Sequence, residues 1–130
     1  VLKKIFFWAA LFWTGIILYF CLIKSSEIPQ IDIDIPNLDK LVHAFLHFIF
    51  TLLWFFYFKK KIGSLKIHEL LLMSLVLSFV FGIAIELMQQ FFTVTRNADV
   101  YDVFANLSGA TLAVIAIILV NKFNGIIDKI

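Results

Sequence analysis

The sequence has little charge, one arginine and one cysteine. Charged residues make up 15% of its 130 positions and hydrophobic residues 62%. Mean hydropathy is +1.00. A soluble domain carries about 25% charged and about 45–50% apolar residues. This deficit excludes a cytosolic globular domain, a disordered chain and a nucleic-acid binder. The length excludes two ordinary domains. The lone cysteine, Cys21, excludes an intrachain disulfide framework and a cysteine-based zinc site. It follows Leu18, Tyr19 and Phe20, not the small residues of a lipoprotein signal. The two prolines, Pro29 and Pro36, share one connecting segment. No internal repeat or low-complexity tract is present.

What the chain does have is long apolar runs. A spanning helix needs about 20 mostly apolar residues. Four stretches qualify: Ile5–Ile23, Leu38–Phe58, Leu70–Phe92 and Asp102–Val120. The hydrocarbon interior leaves free backbone groups unsatisfied, so each stretch is expected to be helical despite its Phe, Val and Ile. The first run exceeds a signal-peptide core of roughly 7–15 residues and lacks a small-residue cleavage site, so an uncleaved anchor is expected. The fold class predicted is all-α: a four-helix transmembrane bundle forming a single domain over residues 1–130.

Charge sets the expected orientation. Lys3, Lys4, Lys59, Lys60, Lys61, Lys66, Lys122 and Lys129 fall on one side, and Lys24, Lys40 and Arg96 on the other. The positive-inside rule then places both termini in the cytoplasm. A multi-pass protein of a bacterial inner membrane is expected. The outer side holds Glu27, Asp32, Asp34, Asp39, Asp99 and Asp102. Its first loop, from Lys24 to Leu38, contains the alternation Ile31-Asp32-Ile33-Asp34-Ile35. That pattern suits an extended segment on the membrane surface, either a linker or a lid over an outer site.

Polar residues inside a spanning helix are expensive and call for a partner or a purpose. Here they form stripes. Asp39, His43 and His47 recur at i, i+4, i+8. Ser78, Gly82, Glu86 and then Gln89 or Gln90 do the same. Asp99, Asp102, Asn106, Gly109 and Ala113 follow spacings of 3 and 4, one helical face. Glu86 lies about 9 Å below its helix end, and His43 and Asn106 about 6 Å below theirs, at 1.5 Å per residue. Three helices thus bring polar groups to one level, which implies a hydrated pocket opening outward. Gly82 and Gly109 are expected at close helix contacts.

The pattern Asp39-Lys40-x-x-His43, then Glu86-x-x-Gln89, then Arg96-x-x-Asp99-x-x-Asp102-x-x-x-Asn106-x-x-Gly109, resembles the VanZ-like family. The likeness runs roughly from Ser25 to Gly109. It implies a small bacterial membrane protein with a cell-envelope role, since the family's namesake is associated with low-level resistance to teicoplanin-type glycopeptides. His47 departs from the pattern where the family often has an aromatic residue, and Ala113 where glycine is often found.

These residues admit more than one chemistry. The planar guanidinium of Arg96 could hold a phosphate or carboxylate bidentately, or form a salt bridge to Asp99, Asp102 or Glu86. Glu86 could carry a proton, or be held by Arg96, Gln89, Gln90 or His43. Asp39, His43, Glu86, Asp99 and Asp102 offer a divalent metal oxygen and imidazole ligands. No tight ligand motif such as H-E-x-x-H is present, however, and no metal or cofactor is assigned. Asp99 and Asp102 also suit a helix start, where acids cap free N–H groups. His47 reads as a buried, hydrogen-bonded histidine. The expected pocket residues are Asp39, His43, Glu86, Gln89, Gln90, Arg96, Asp99, Asp102 and Asn106. The expected partners are membrane lipids and a lipid-linked cell-wall precursor or other phosphate-bearing lipid. Three functions remain open: non-enzymatic binding of an envelope component, hydrolysis or transfer on a lipid-linked phosphate, and a structural or partner-supporting role.

Overall fold

A computed structural model of the chain describes residues 1–23 and 35–130. The acidic residues Glu27, Asp32 and Asp34, and with them the lid reading, lie outside the described residues. The elements are α1 (Leu2–Leu22), α2 (Leu38–Lys61), α3 (Ile67–Phe92), α4 (Val100–Asn124) and a short α5 (Ile126–Lys129). The first four have 21, 24, 26 and 25 residues and are long and apolar enough to cross a membrane. At 1.5 Å per residue they run about 31–39 Å, against a hydrocarbon core of about 30 Å.

The excess length explains where the helices outrun the apolar stretches. α2 continues through Lys59, Lys60 and Lys61, and α3 begins before the apolar run, at Ile67. Apolar residues mark only the hydrocarbon slab. Beyond it, lysine stems lie along apolar surface and keep their ammonium groups in water. The helix ends are closed by local chemistry. The Lys66 N–H donates to the Glu69 carboxylate at 2.7 Å. Asp99 caps α4 by accepting from the Tyr101 N–H at 2.8 Å. Gly125, at φ +59°, ends α4 in the left-handed region that favours glycine.

The outer surface of the bundle is strongly apolar, and its interior combines buried apolar residues such as Phe50, Phe55 and Ile85 with a polar layer. Trp8, Phe12, Phe91, Phe104 and Phe123 are all more than half exposed, whereas His47, Ser74, Ser78, Glu86, Gln89 and Asn106 are buried. A soluble domain would not leave so many large rings open; in a membrane, lipid covers them. α4 packs most extensively on α2, while α1 rests on α2 and α3 and does not reach α4 among the described residues. The α2–α4 seam is tightest where Gly109 meets Ala44. A Cβ on Gly109 would overlap the Ala44 backbone, so only glycine fits.

The two ends of the bundle differ. At one end Phe6 stacks on Phe56 and Phe7 lies against Tyr57. There Phe55, Leu70, Leu71, Ile117 and Ile127 form an apolar cluster. Ile127 belongs to α5, which folds back under the bundle. Asn121 and Asp128 exchange two hydrogen bonds of 3.1 Å, and Lys60 donates to the Ile130 carbonyl. At the other end lie Lys40, Asp99 and Asp102.

Candidate functional site

The starts of α2 and α4 and the last turns of α3 meet at this second end. α2 opens after Asn37, whose φ of 57° turns the chain in. This aims Lys40 towards α4. Its Nζ donates to Asp99 Oδ2 at 2.6 Å and to Asp102 Oδ1, and lies 3.2 Å from Asp39 Oδ2. Asp102 is buried, Asp39 and Asp99 less so. The ammonium beside Asp99, together with the Tyr101 N–H, holds the Asp99 pKa below its ordinary value.

One turn deeper, His43 Nδ1 is 3.1 Å from Asn106 Oδ1, and His43 Nε2 is 3.5 Å from Asp102 Oδ2. Glu86 comes in from α3. Its Oε2 accepts the Asp99 N–H at 3.0 Å, and its Oε1 is buried without a hydrogen-bond partner among the described residues. His43, Glu86 and Asp102 each bring one ligand atom into a group within 4.8 Å of one another. Deeper still, His47 Nδ1 pairs with Ser78 Oγ at 2.8 Å, both buried. Gly82 leaves room for this layer. A Cβ there would stand 3.1 Å from Asn106 Nδ2 and 3.3 Å from His47 Cε1.

Not every expected pocket residue joins this group. The structure brings together His43, Glu86, Asp102 and Asn106, with Asp99 and Asp39 at the rim through Lys40. Gln89 is buried but faces α1, donating from Nε2 to the Cys21 carbonyl at 2.8 Å. Gln90 is exposed and accepts the Ala98 N–H at 3.1 Å. Arg96 lies on the α3–α4 connection and donates from Nη1 to the Phe20 carbonyl at 3.3 Å. Thr93 Oγ1 donates to the Gln89 carbonyl at 2.6 Å. These contacts tie the end of α1 to the α3–α4 connection.

Sequence reading set Lys40 aside, yet it is the cation that pairs with the acids. A signal was available. Lys40 is three residues before His43 and seven before His47, which puts it on the buried face of α2. The His47–Ser78 pair was also discoverable, since both residues lie about one further turn below His43 and Glu86.

What this arrangement can do follows from its donors. It presents two buried carboxylates and an imidazole to a common point, an ammonium beside them, and a guanidinium at the outer edge. A cation would fit the first set and an anion the last.

The sequence profile of the family described as VanZ/LLP1 matches residues 5–121. That span includes every residue of the polar layers. An uncharacterized protein of the fission yeast Schizosaccharomyces pombe is 32% identical over 91 residues, covering 69% of this chain and 52% of that protein. The chain therefore spans about half the length of that curated relative. No solved structure matches.

Proposed function

On the premise that this chain belongs to the VanZ/LLP1 family, we propose that it binds the anionic headgroup of a cell-envelope lipid, taking the phosphate at Arg96 beside the polar layer. One observation carries this reading: among the described residues Lys40 takes the ion pairs with the acids, and Arg96 makes none. Arg96 instead bonds a backbone carbonyl, leaving guanidinium N–H groups for a bidentate contact. Asp39, His43, Asp99, Asp102 and Asn106 form the polar layer beside it, with Glu86 holding the Asp99 N–H between Arg96 and α4. The lysine-rich end faces the cytoplasm, both termini with it, and the polar layer faces outward. In a bacterial inner membrane the headgroup belongs to a lipid-linked wall precursor, and its capture alters susceptibility to teicoplanin-type glycopeptides.

The test uses the full chain in phosphatidylcholine nanodiscs, titrated with a polyprenyl phosphate and competed with phosphatidylglycerol. A hydrogen bond to a charged group contributes about 1.5–3 kcal/mol. Arg96→Ala should then weaken binding by about tenfold to a hundredfold, and Arg96→Lys by less. Equal affinity in wild type and Arg96→Ala overturns the proposal. In a bacterial host, Arg96→Ala should lose glycopeptide protection while the protein still inserts.

The grouping of His43, Glu86 and Asp102 favours one second reading, a hydrolase or transferase acting on a lipid-linked phosphate. Turnover of polyprenyl phosphates that a chelator abolishes would support it over simple binding.

A further inference from the structure

His43, Glu86 and Asp102 share a geometry that anion capture at Arg96 does not use. Each has one polar atom already held by a neighbour. His43 Nδ1 is held by Asn106 Oδ1 at 3.1 Å. Glu86 Oε2 is held by the Asp99 N–H at 3.0 Å. Asp102 Oδ1 is held by the Lys40 ammonium. The remaining atom of each is left for the common centre.

The tautomer follows from the first of these contacts. With Asn106 Oδ1 as the acceptor, neutral His43 would carry its proton on Nδ1, and Nε2 would present a lone pair. That lone pair stands 3.5 Å from Asp102 Oδ2. Glu86 is 4% exposed, and its Oε1 is buried without a hydrogen-bond partner among the described residues. Two electron-rich atoms face each other, and a third lies buried and unsatisfied nearby. A cation bound among these atoms would satisfy all three.

The surrounding charge favours such a cation. Glu86, Asp102, Asp99 and Asp39 are four acids, and Lys40 is the one cation paired with them among the described residues, so the cluster has an excess of acids that a divalent cation would offset. One spacing fits directly, and the three ligand atoms all lie within 4.8 Å of one another. Tetrahedral zinc with ligands at about 2.0–2.2 Å places neighbouring ligand atoms about 3.4 Å apart, close to the 3.5 Å between His43 Nε2 and Asp102 Oδ2. The imidazole favours a transition ion over magnesium or calcium. The contacts from Asn106, Asp99 and Lys40 are of the kind that orient metal ligands.

We propose that His43, Glu86 and Asp102 form a binding site for one divalent transition-metal ion of the zinc class, with a further coordination position open to an oxygen ligand. The site lies between α2, α3 and α4 and draws a ligand from each, so the ion joins the three helices.

The test needs no lipid ligand, so it stands or falls apart from the Arg96 reading. The purified full chain is stripped with chelator and titrated with Zn²⁺ by calorimetry and with Co²⁺ by visible absorption. One ion should bind per chain, and Co²⁺ should give the intense visible bands of a four-coordinate site. Glu86→Gln and Asp102→Asn should each weaken binding by more than about tenfold, and Asn106→Ala by about 10–100-fold as an orienting residue. Asp128→Asn, at the other end of the bundle, should bind as wild type does. X-ray absorption on the wild-type zinc form guards against variants that fail to fold. It should show one imidazole among oxygen neighbours and no sulfur. The proposal is overturned if the folded wild type takes up no Zn²⁺ at millimolar concentration. It is equally overturned if folded Glu86→Gln and Asp102→Asn bind as wild type does, or if the absorption spectrum shows sulfur or several imidazoles.

Discussion

The two halves of the bundle are held together differently. In the half that begins at Lys40, α2, α3 and α4 are joined by directional contacts: Lys40 to Asp99 and Asp102, His43 to Asn106, Glu86 to the Asp99 N–H, His47 to Ser78. In the half that ends at α5, Phe55, Leu70, Leu71, Ile117 and Ile127 pack with no such links between their side chains. Lipid tails are as apolar as leucine, so apolar contact alone gives little preference for helix over lipid. Between α2, α3 and α4 the apolar half must therefore rely mainly on shape, and the polar half on hydrogen bonds that its own neighbours supply. Gly109 against Ala44 lies within the polar half, between the His43 and His47 layers, where the α2 and α4 backbones approach closely.

The largest expected effect comes from that contact. Gly109→Ala places a methyl group inside the Ala44 backbone and forces α2 and α4 apart. Ordinary overpacking costs about 1–3 kcal/mol; rigid backbone on the opposite side puts this change at or above the top of that range. Thermal melts in detergent, with size-exclusion profiles, should show loss of the folded monomer. Folding unchanged by Gly109→Ala would break the comparison, because the polar half would then not depend on the seam.

Next is Lys40→Met, which tests whether charge holds the polar half. It leaves Asp102, 8% exposed, beside two further acids without their cation. Breaking a fully buried pair costs about 3–5 kcal/mol. The Lys40 side chain is 25% exposed, so about 1–3 kcal/mol is expected once solvent screening is allowed for. Lys40→Arg should recover part of the loss. Melting curves of the three proteins decide this, and a neutral Lys40→Met would mean that packing alone holds both halves.

Much of this contrast was legible in the sequence. The four helices follow from apolar length, because a bilayer gives the backbone no other way to satisfy its hydrogen bonds. The α4 stripe of Asp102, Asn106, Gly109 and Ala113 is the buried face observed. Pairing was harder to read. Arg96 lies on a connection between helices, where periodicity fixes no direction, and its guanidinium turns to the Phe20 carbonyl. α5 has 4 residues, too few for any periodicity to emerge. The helix ends beyond the apolar runs were also hidden, since a lysine-rich turn reads equally as loop or as helix emerging into water.

A smaller effect sharpens the difference between links across helices and links within one. Ser78 Oγ reaches His47 on another helix, whereas Ser74 Oγ, equally buried, donates back to the Leu70 carbonyl of its own helix at 2.9 Å. Hydrogen bonds between spanning helices average about 0.6 kcal/mol and reach about 1.7. Ser78→Ala should fall in that range, and Ser74→Ala, which breaks nothing between helices, close to zero. Equal losses in unfolding experiments would remove the distinction.

The smallest effect tests how far the polar half feels the solvent. The Lys40 ammonium and the Tyr101 N–H hold the Asp99 carboxyl below its ordinary pKa of 3.8. A carboxyl depressed in the folded state stabilises it fully above the unfolded value and ceases to do so as pH falls through the folded value. On chelator-treated protein, the melting-temperature gap between wild type and Asp99→Asn should therefore be constant from neutral pH to about 5 and shrink below 3.8. The groups facing Asp99 are Lys40, Asp39, Asp102, Glu86 and His43, so the variant difference, not the wild-type curve alone, isolates its share. Asp99 is partly open to water, and added salt should narrow the gap further. A gap that widened in acid would mean that Lys40 favours the protonated form of Asp99, and the ammonium could not then be the element that draws α2 and α4 together at this end.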